Sequence, residues 1–280
     1  MSQTNFLIGR GELLTTEIKG PKRKPGKAQV YTLAVAQRRL TPQFTSVAEA
    51  LDTLPEQACP GDFGIARLTM NPSFIARSFF PVAMLRSVGL ESVGSRTVKV
   101  TPDGWTRKGQ PQECTTTELF VAGKRPSFRN LTAWANEVEA DSNEALDLTH
   151  IERFAAFAPS DRIQSLGNKK DHFFEVGIHL LPDEDAQFVQ QAFSRFAKKS
   201  DVKVYSELAF RAGNLWFVPV QGKQDNIRQL ANFVFVRIIR PMPKLRSLRP
   251  TSRQPKRSGA ITIGCTLPTE QPLSSEPKVA

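Results

Sequence analysis

Histidines are the first side chains to test for catalysis, because the imidazole moves protons near neutral pH. The chain has three: His150, His172 and His179. A serine nucleophile would need one of them together with a turn such as Gly-Thr-Ser or Gly-x-Ser-x-Gly, and the sequence contains neither turn. His172 and His179 are seven residues apart in a stretch that alternates like a strand, so they point to opposite faces and cannot share a metal. Glu175 and His179 do share a face, as a solvated pair on a strand commonly does. Cys59, Cys114 and Cys265 lack the Cys-x-x-Cys spacing of a zinc site. Asp62-Phe63-Gly64 matches the metal-binding triplet of protein kinases, but no glycine-rich loop precedes it and no catalytic-loop motif follows it. No Gly-x-x-x-x-Gly-Lys phosphate loop occurs either. These residues predict no catalytic residue, no metal and no cofactor. They predict a chain that acts by binding.

The elements that would position a binding surface are clearest from 172 to 240. Residues 172–181 alternate, with Phe174, Val176, Ile178 and Leu180 on one side. Pro182-Asp183-Glu184-Asp185 places acids where a helix begins. Val189, Phe193 and Phe196 then recur at helical spacing, and Lys198-Lys199 lie at the helix's negative end. A second strand is expected over 202–211, a turn at Ala212-Gly213-Asn214, and a third strand over 215–220. Ile227, Leu230, Ala231 and Val234 mark a shorter helix, and 235–240 a last strand. Strand, helix, strand, strand, helix, strand is the order of a ferredoxin-like βαββαβ unit. Such a unit covers one face of its sheet with helices and leaves the other free for a partner. A weaker copy of the order runs from about 61 to 157: strands over 61–70, 90–100 and 115–122, a helix over 72–88 interrupted by Pro81, a helix from Pro126, and a closing segment over 146–157. Two tandem units, or one larger α+β domain with a ferredoxin-like end, both fit. The fold class expected is α+β. Residues 1–60 form a basic arm with a short helix, 61–160 a first α+β unit, 170–240 the ferredoxin-like unit, and 241–280 an extended, basic, proline-rich tail.

Composition agrees with a folded middle and unusual ends. Hydrophobic residues make up 40% of the 280 and charged residues 23%. Of the net charge of +11, residues 1–40 contribute eight Lys/Arg against two Glu, and residues 237–257 eight Lys/Arg with no acid. Basic flanks suit an acidic partner, nucleic acid included, and suit a solvated linker equally. The odd cysteine count argues against a disulfide framework. With no signal peptide and no long apolar span, a cytoplasmic protein without membrane contact is expected. Ferredoxin-like sheets also bind RNA by stacking bases on aromatics of their central strands. Arg211-Ala212-Gly213-Asn214-Leu215-Trp216-Phe217-Val218 loosely matches that third-strand motif. Trp216 and Phe217 face opposite ways, so only one could stack. Core or partner-facing packing is the preferred reading, and nucleic-acid binding the alternative.

Four phrases carry a resemblance. Asn71-Pro72-Ser73-Phe74-Ile75-Ala76-Arg77-Ser78-Phe79-Phe80-Pro81, Val93-Gly94-Ser95-Arg96, Leu119-Phe120-Val121-Ala122-Gly123 and Val236-Arg237-Ile238-Ile239-Arg240-Pro241-Met242-Pro243-Lys244-Leu245-Arg246 resemble the N-terminal region of a group of bacterial subtilisin-like serine proteases. The last residues, Ser274-Ser275-Glu276-Pro277-Lys278-Val279-Ala280, resemble the approach to the strand that bears the catalytic aspartate in that group. The resemblance implies that the catalytic Asp, His and Ser lie beyond Ala280, so none is carried onto this chain. A truncated gene, a split gene and an excised piece all remain open. It also implies a pro-region that docks its sheet on the subtilase catalytic domain, in cis or in trans, and passes its C-terminal segment toward the active site. An ATPase of the AAA class is a further implied partner. The residues expected to meet the partner are Trp216, Arg237, Arg240, Lys244, Arg246 and Arg249.

Overall fold

The structure is a computed structural model that describes residues 29–105, 109–166, 173–181 and 186–242. The described part begins with α1 (Leu33–Asp52), whose N-terminus is capped by Thr32 Oγ1 accepting from Val35 N. Ala36, Leu40, Phe44, Val47 and Leu51 recur at three- and four-residue steps and are all buried. That stripe sustains 20 residues of helix through Pro42, where only a short helix was expected.

β1 (Phe63–Met70), β2 (Leu90–Val100), β3 (Cys114–Lys124) and β4 (Ile151–Ala156) form an antiparallel sheet in the order β2-β3-β1-β4. Between them lie α2 (Val82–Ser87), α3 (Arg125–Glu137) and α4 (Asn143–Thr149). The predicted helix over 72–88 is two 3-10 turns, Pro72–Phe74 and Arg77–Phe79, followed by α2 after Pro81. The predicted closing segment over 146–157 divides between α4 and β4. Its Asp147 carboxylate accepts from Ala83 N at 3.0 Å and Met84 N at 3.3 Å, which supplies the cap that Pro81 cannot give α2. Ala66, Leu68, Met70, Leu119, Val121 and Phe154 turn to the helical side and pack with α1, α2 and α3.

Gly123 is required by close approach. A Cβ there would collide with Leu90 Cδ2 and lie 2.8 Å from the Gly89 carbonyl oxygen, which is backbone and cannot step aside. Gly123→Ala is therefore expected to cost about 1–3 kcal/mol through overpacking. A urea titration checks this, and an unchanged midpoint would contradict it.

The second sheet contains β5 (Phe173–His179), β6 (Lys203–Val204), β7 (Phe210–Ala212), β8 (Leu215–Gln221) and β9 (Val236–Pro241). Its order is β6-β8-β5-β9, with β7 also pairing β8, and every pairing is antiparallel. α5 (Ala186–Lys199) and α6 (Gln224–Leu230) cross one face. There Phe174, Val176, Ile178, Val218 and Val220 bury against Val189, Phe193, Ile227 and Leu230. A fully buried side chain such as Phe193 contributes about 2–3 kcal/mol. In the first sheet the first strand pairs with the third and the fourth, and the second lies outside the third; the second sheet repeats this with β6 and β7 together in the place of the second strand. The strand expected over 202–211 is broken into β6, a 3-10 turn at Ser206–Leu208 and β7.

Both sheets belong to one compact unit. The outer face of the first sheet, with Phe63, Ile65, Phe120 and Ala122, shares a core with the second. Phe120 meets Phe157 at 5.0 Å and the His179 ring at 5.1 Å, and Phe63 meets Phe235 at 5.8 Å. The expected basic arm before 29 and most of the 241–280 tail lie outside the described residues.

Candidate functional site

Strand register assigns the side chains on the face of the second sheet opposite α5 and α6. Phe173, Glu175, Gly177 and His179 pair with Gln221, Pro219, Phe217 and Leu215, so these eight share that face. Phe210 pairs with Phe217, and Ile238 and Arg240 pair with Gly177 and Glu175, which places them there too. The result is an aromatic patch. Phe210 stacks on Phe217 at 5.1 Å between centroids and 16° between planes. Phe173 lies 6.1 Å from Tyr205, whose hydroxyl is 2.6 Å from Gln221 Oε1. Phe210 and Phe173 are 54% and 50% exposed, so these rings belong to the surface rather than the core.

The charges on this face are ordered. Arg240 bonds Glu175 Oε2 through Nε at 2.6 Å and Nη2 at 2.5 Å, and Glu175 is 4% exposed. The same guanidinium lies 5.9 Å from the Phe217 ring, and Lys203 Nζ lies 4.7 Å from the Tyr205 ring. The face thus offers stacked apolar rings bordered by two cations.

The residues predicted to meet a partner are placed differently from one another. Arg240 is on the outer face. Trp216 is on the inner one, 6% exposed and edge-on to Phe193 at 6.1 Å, so Phe217 is the aromatic of β8 that faces outward. Arg237 turns to the first sheet, donating to Ser95 O at 3.0 Å with its guanidinium 4.2 Å over Phe120. Burial and nearby Arg96 hold its pKa below the usual arginine value. Lys244, Arg246 and Arg249 lie outside the described residues, as do His172 and Cys265. Phe173, Tyr205, Phe210 and Phe217 were missed as a set. The signal for Phe173 was already in the strand alternation, on the side opposite Phe174, but the pairing that gathers the others was not.

The other chemistry-bearing groups are taken up by the fold. His150 stacks on Phe74 at 4.1 Å. Asp62, at the turn into β1, pairs with Arg125 at 2.5 Å, which accounts for the kinase-like triplet. Cys59 and Cys114 are free. Glu152, 5% exposed, accepts from Tyr31, Asn71, Arg39 and Asp103 N and ties the segment before α1 to β4. Burial and Glu152 raise the Tyr31 pKa. Among the described residues no cluster of three or more His, Cys, Asp or Glu could hold a metal, and no helix is long and apolar enough to cross a membrane.

In comparison with known proteins, the chain matches no protein-family model and no curated protein.

Proposed function

We propose that this chain is a non-catalytic binding module, the pre-catalytic region of a subtilisin-like serine protease, that docks the outer face of its second sheet on the protease's catalytic domain. The observation that carries this reading is the pair of exposed rings, Phe173 and Phe210, the latter stacked on the half-buried Phe217, on a sheet whose other face is closed by α5 and α6. The connectivity supports it: both sheets have the strand order of a ferredoxin-like unit. β9 is the edge strand of the second sheet and leads into the basic tail, so docking the sheet directs the tail across the partner's surface. An extended segment laid along a cleft pairs as an added strand, which is how a pro-region occupies a substrate site. The role is then to template folding of the protease and to inhibit it, in cis or in trans. Partnership with an AAA-class ATPase and a cytoplasmic site of action belong to the same reading.

The test uses a subtilisin-like catalytic domain of this group, expressed without its own pro-region. The chain is expected to raise its refolding yield and to inhibit its hydrolysis of a peptide substrate. Replacing Phe173 and Phe210 together with serine is expected to weaken inhibition about tenfold or more, since exposed aromatic anchors dominate interface energy. Melting should stay nearly unchanged, because both rings are half exposed already. An effect on neither yield nor hydrolysis would end the reading.

One observation favours a second reading. Phe173 and Phe217 lie on the two central strands, β5 and β8, with Arg240 beside Phe217 and Lys203 over the neighbouring Tyr205 ring, an arrangement on which single-stranded bases can stack. That reading expects single-stranded oligonucleotides to bind at low salt with affinity falling steeply as salt rises. Absence of binding at low salt removes it.

A further inference from the structure

A cleft of about 500 Å³ opens where the edge of the first sheet meets the second. One wall is β2 at its bulge, where the register against β3 shifts between Ser92 and Gly94. The others come from Phe80, from the β7–β8 turn with Asn214, and from Arg237 on β9. His179 closes the cleft from below. A Cβ at position 94 would lie 3.3 Å from His179 Cε1, 3.6 Å from its Nδ1 and 3.7 Å from Arg237 Nη1. The glycine therefore leaves the imidazole and the guanidinium facing one space.

Two features of this space are unusual for ordinary packing. His179 is fully buried, yet neither Nδ1 nor Nε2 makes a hydrogen bond. The Val93 backbone lies close enough to favour the protonated ring, but the geometry falls short of a hydrogen bond. Buried polar atoms without partners are rare in native structures and call for a reason. Charge is also unbalanced. Arg96 and Arg237 both lie over Phe120, at 5.4 and 4.2 Å, and Arg96 pairs with Glu118 at 2.5 Å. Among the described residues Arg237 has no ion pair. One positive charge and one unsatisfied donor thus meet at the cleft.

We propose that the cleft binds a single carboxylate, with the Arg237 guanidinium as its ion partner and the His179 N–H as a second donor. Free small acids and peptide C-termini share this chemistry. β2 is at the edge of its sheet, which favours a peptide whose backbone would add to that strand beyond the Ser95 carbonyl that Arg237 holds. Through His179 the site adjoins the sheet face of the aromatic patch, but it uses other side chains and does not depend on that face docking a protease.

The test follows the His179 ring signals of the full chain by NMR. Sodium acetate is titrated at constant ionic strength against sodium chloride, then an N-acetylated tripeptide with a free C-terminal carboxylate, then the same tripeptide amidated. Saturable shifts with acetate or the free-carboxylate peptide, and none with chloride or the amide, are expected. Acetate binding as tightly as the peptide assigns the site to small acids, and tighter peptide binding assigns it to chain termini. Arg237→Gln is expected to weaken binding about tenfold or more, with Arg237→Lys intermediate. Persistence of the His179 signals and the melting temperature reports that each variant is folded. The proposal is overturned if no carboxylate gives a saturable shift, if the amidated peptide binds equally, or if folded Arg237→Gln binds as the parent does.

Discussion

Arg162→Ala is expected to lower the unfolding free energy by about 3–5 kcal/mol, among the largest effects of any single substitution in this chain. Arg162 is 1% exposed and lies between the segment after β4 and the turn between α6 and β9. Its Nη1 donates to Ala231 O at 3.0 Å and Phe233 O at 2.6 Å, and its Nη2 to Phe157 O at 2.7 Å. The guanidinium also lies 4.8 Å from the Phe157 ring centroid. Among the described residues no carboxylate pairs with it, so three backbone carbonyls offset the cost of burying the charge. Burial lowers its pKa to about 9, which leaves it charged at neutral pH. Alanine would leave those carbonyls without this donor and open a cavity where the two sheets join. Lysine keeps the charge but lacks the planar fork, so an intermediate loss is expected. Urea or thermal unfolding measures the effect, with exposed Arg228→Ala as a control expected to change stability by less than about 0.5 kcal/mol. An Arg162→Ala variant as stable as that control would contradict the account.

Mild acid is the second large effect. Burial, with Arg237 and Arg162 nearby, pushes the His179 pKa down to about 3 from an ordinary histidine value of about 6.5. In the window between these values the unfolded chain takes up a proton that the folded chain refuses. Stability is therefore fully present above about pH 6.5 and falls as pH drops toward 3. The slope approaches about 1.4 kcal/mol per pH unit, so about 2–3 kcal/mol is lost by pH 4.5. Asp52, held below its usual pKa by Arg129, contributes stability that is lost only at lower pH. Unfolding at pH 7.5, 6.0 and 4.5 should show the loss in the parent chain and much less of it in His179→Leu. Because His150 and His172 are present in both, the difference isolates His179. Equal pH slopes in the two proteins would exclude this origin.

How far these features could be read from sequence depends on whether they are local. β2 and β8 match their expected spans almost residue for residue, since alternation is a property of neighbours. The strand expected over 202–211 fails at Tyr205, whose φ of −105° and ψ of 74° turn the chain into the 3-10 turn at 206–208. Nothing in the apolar pattern of Val204, Leu208 and Phe210 marks that break. Trp216 was readable as one of two opposite-facing aromatics, but choosing the buried one needs α5 in place above it. Arg162 reads as an ordinary loop charge. Its role comes from carbonyls about 70 residues away, 69 to Ala231 and 71 to Phe233. His179 alternates correctly within β5, yet its burial comes from Phe120 and Gly94 of the other sheet. The cleft and the aromatic patch are likewise products of register and packing between distant segments.

Amide hydrogen exchange of this chain, alone and mixed with a subtilisin-like catalytic domain lacking its pro-region, tests the central claim most directly. Docking through the outer face predicts added protection at Phe173–His179, Leu215–Gln221 and Val236–Pro241, with α1 and α3 unaffected. Protection confined to those helices, or no change anywhere when the two are mixed, would contradict it.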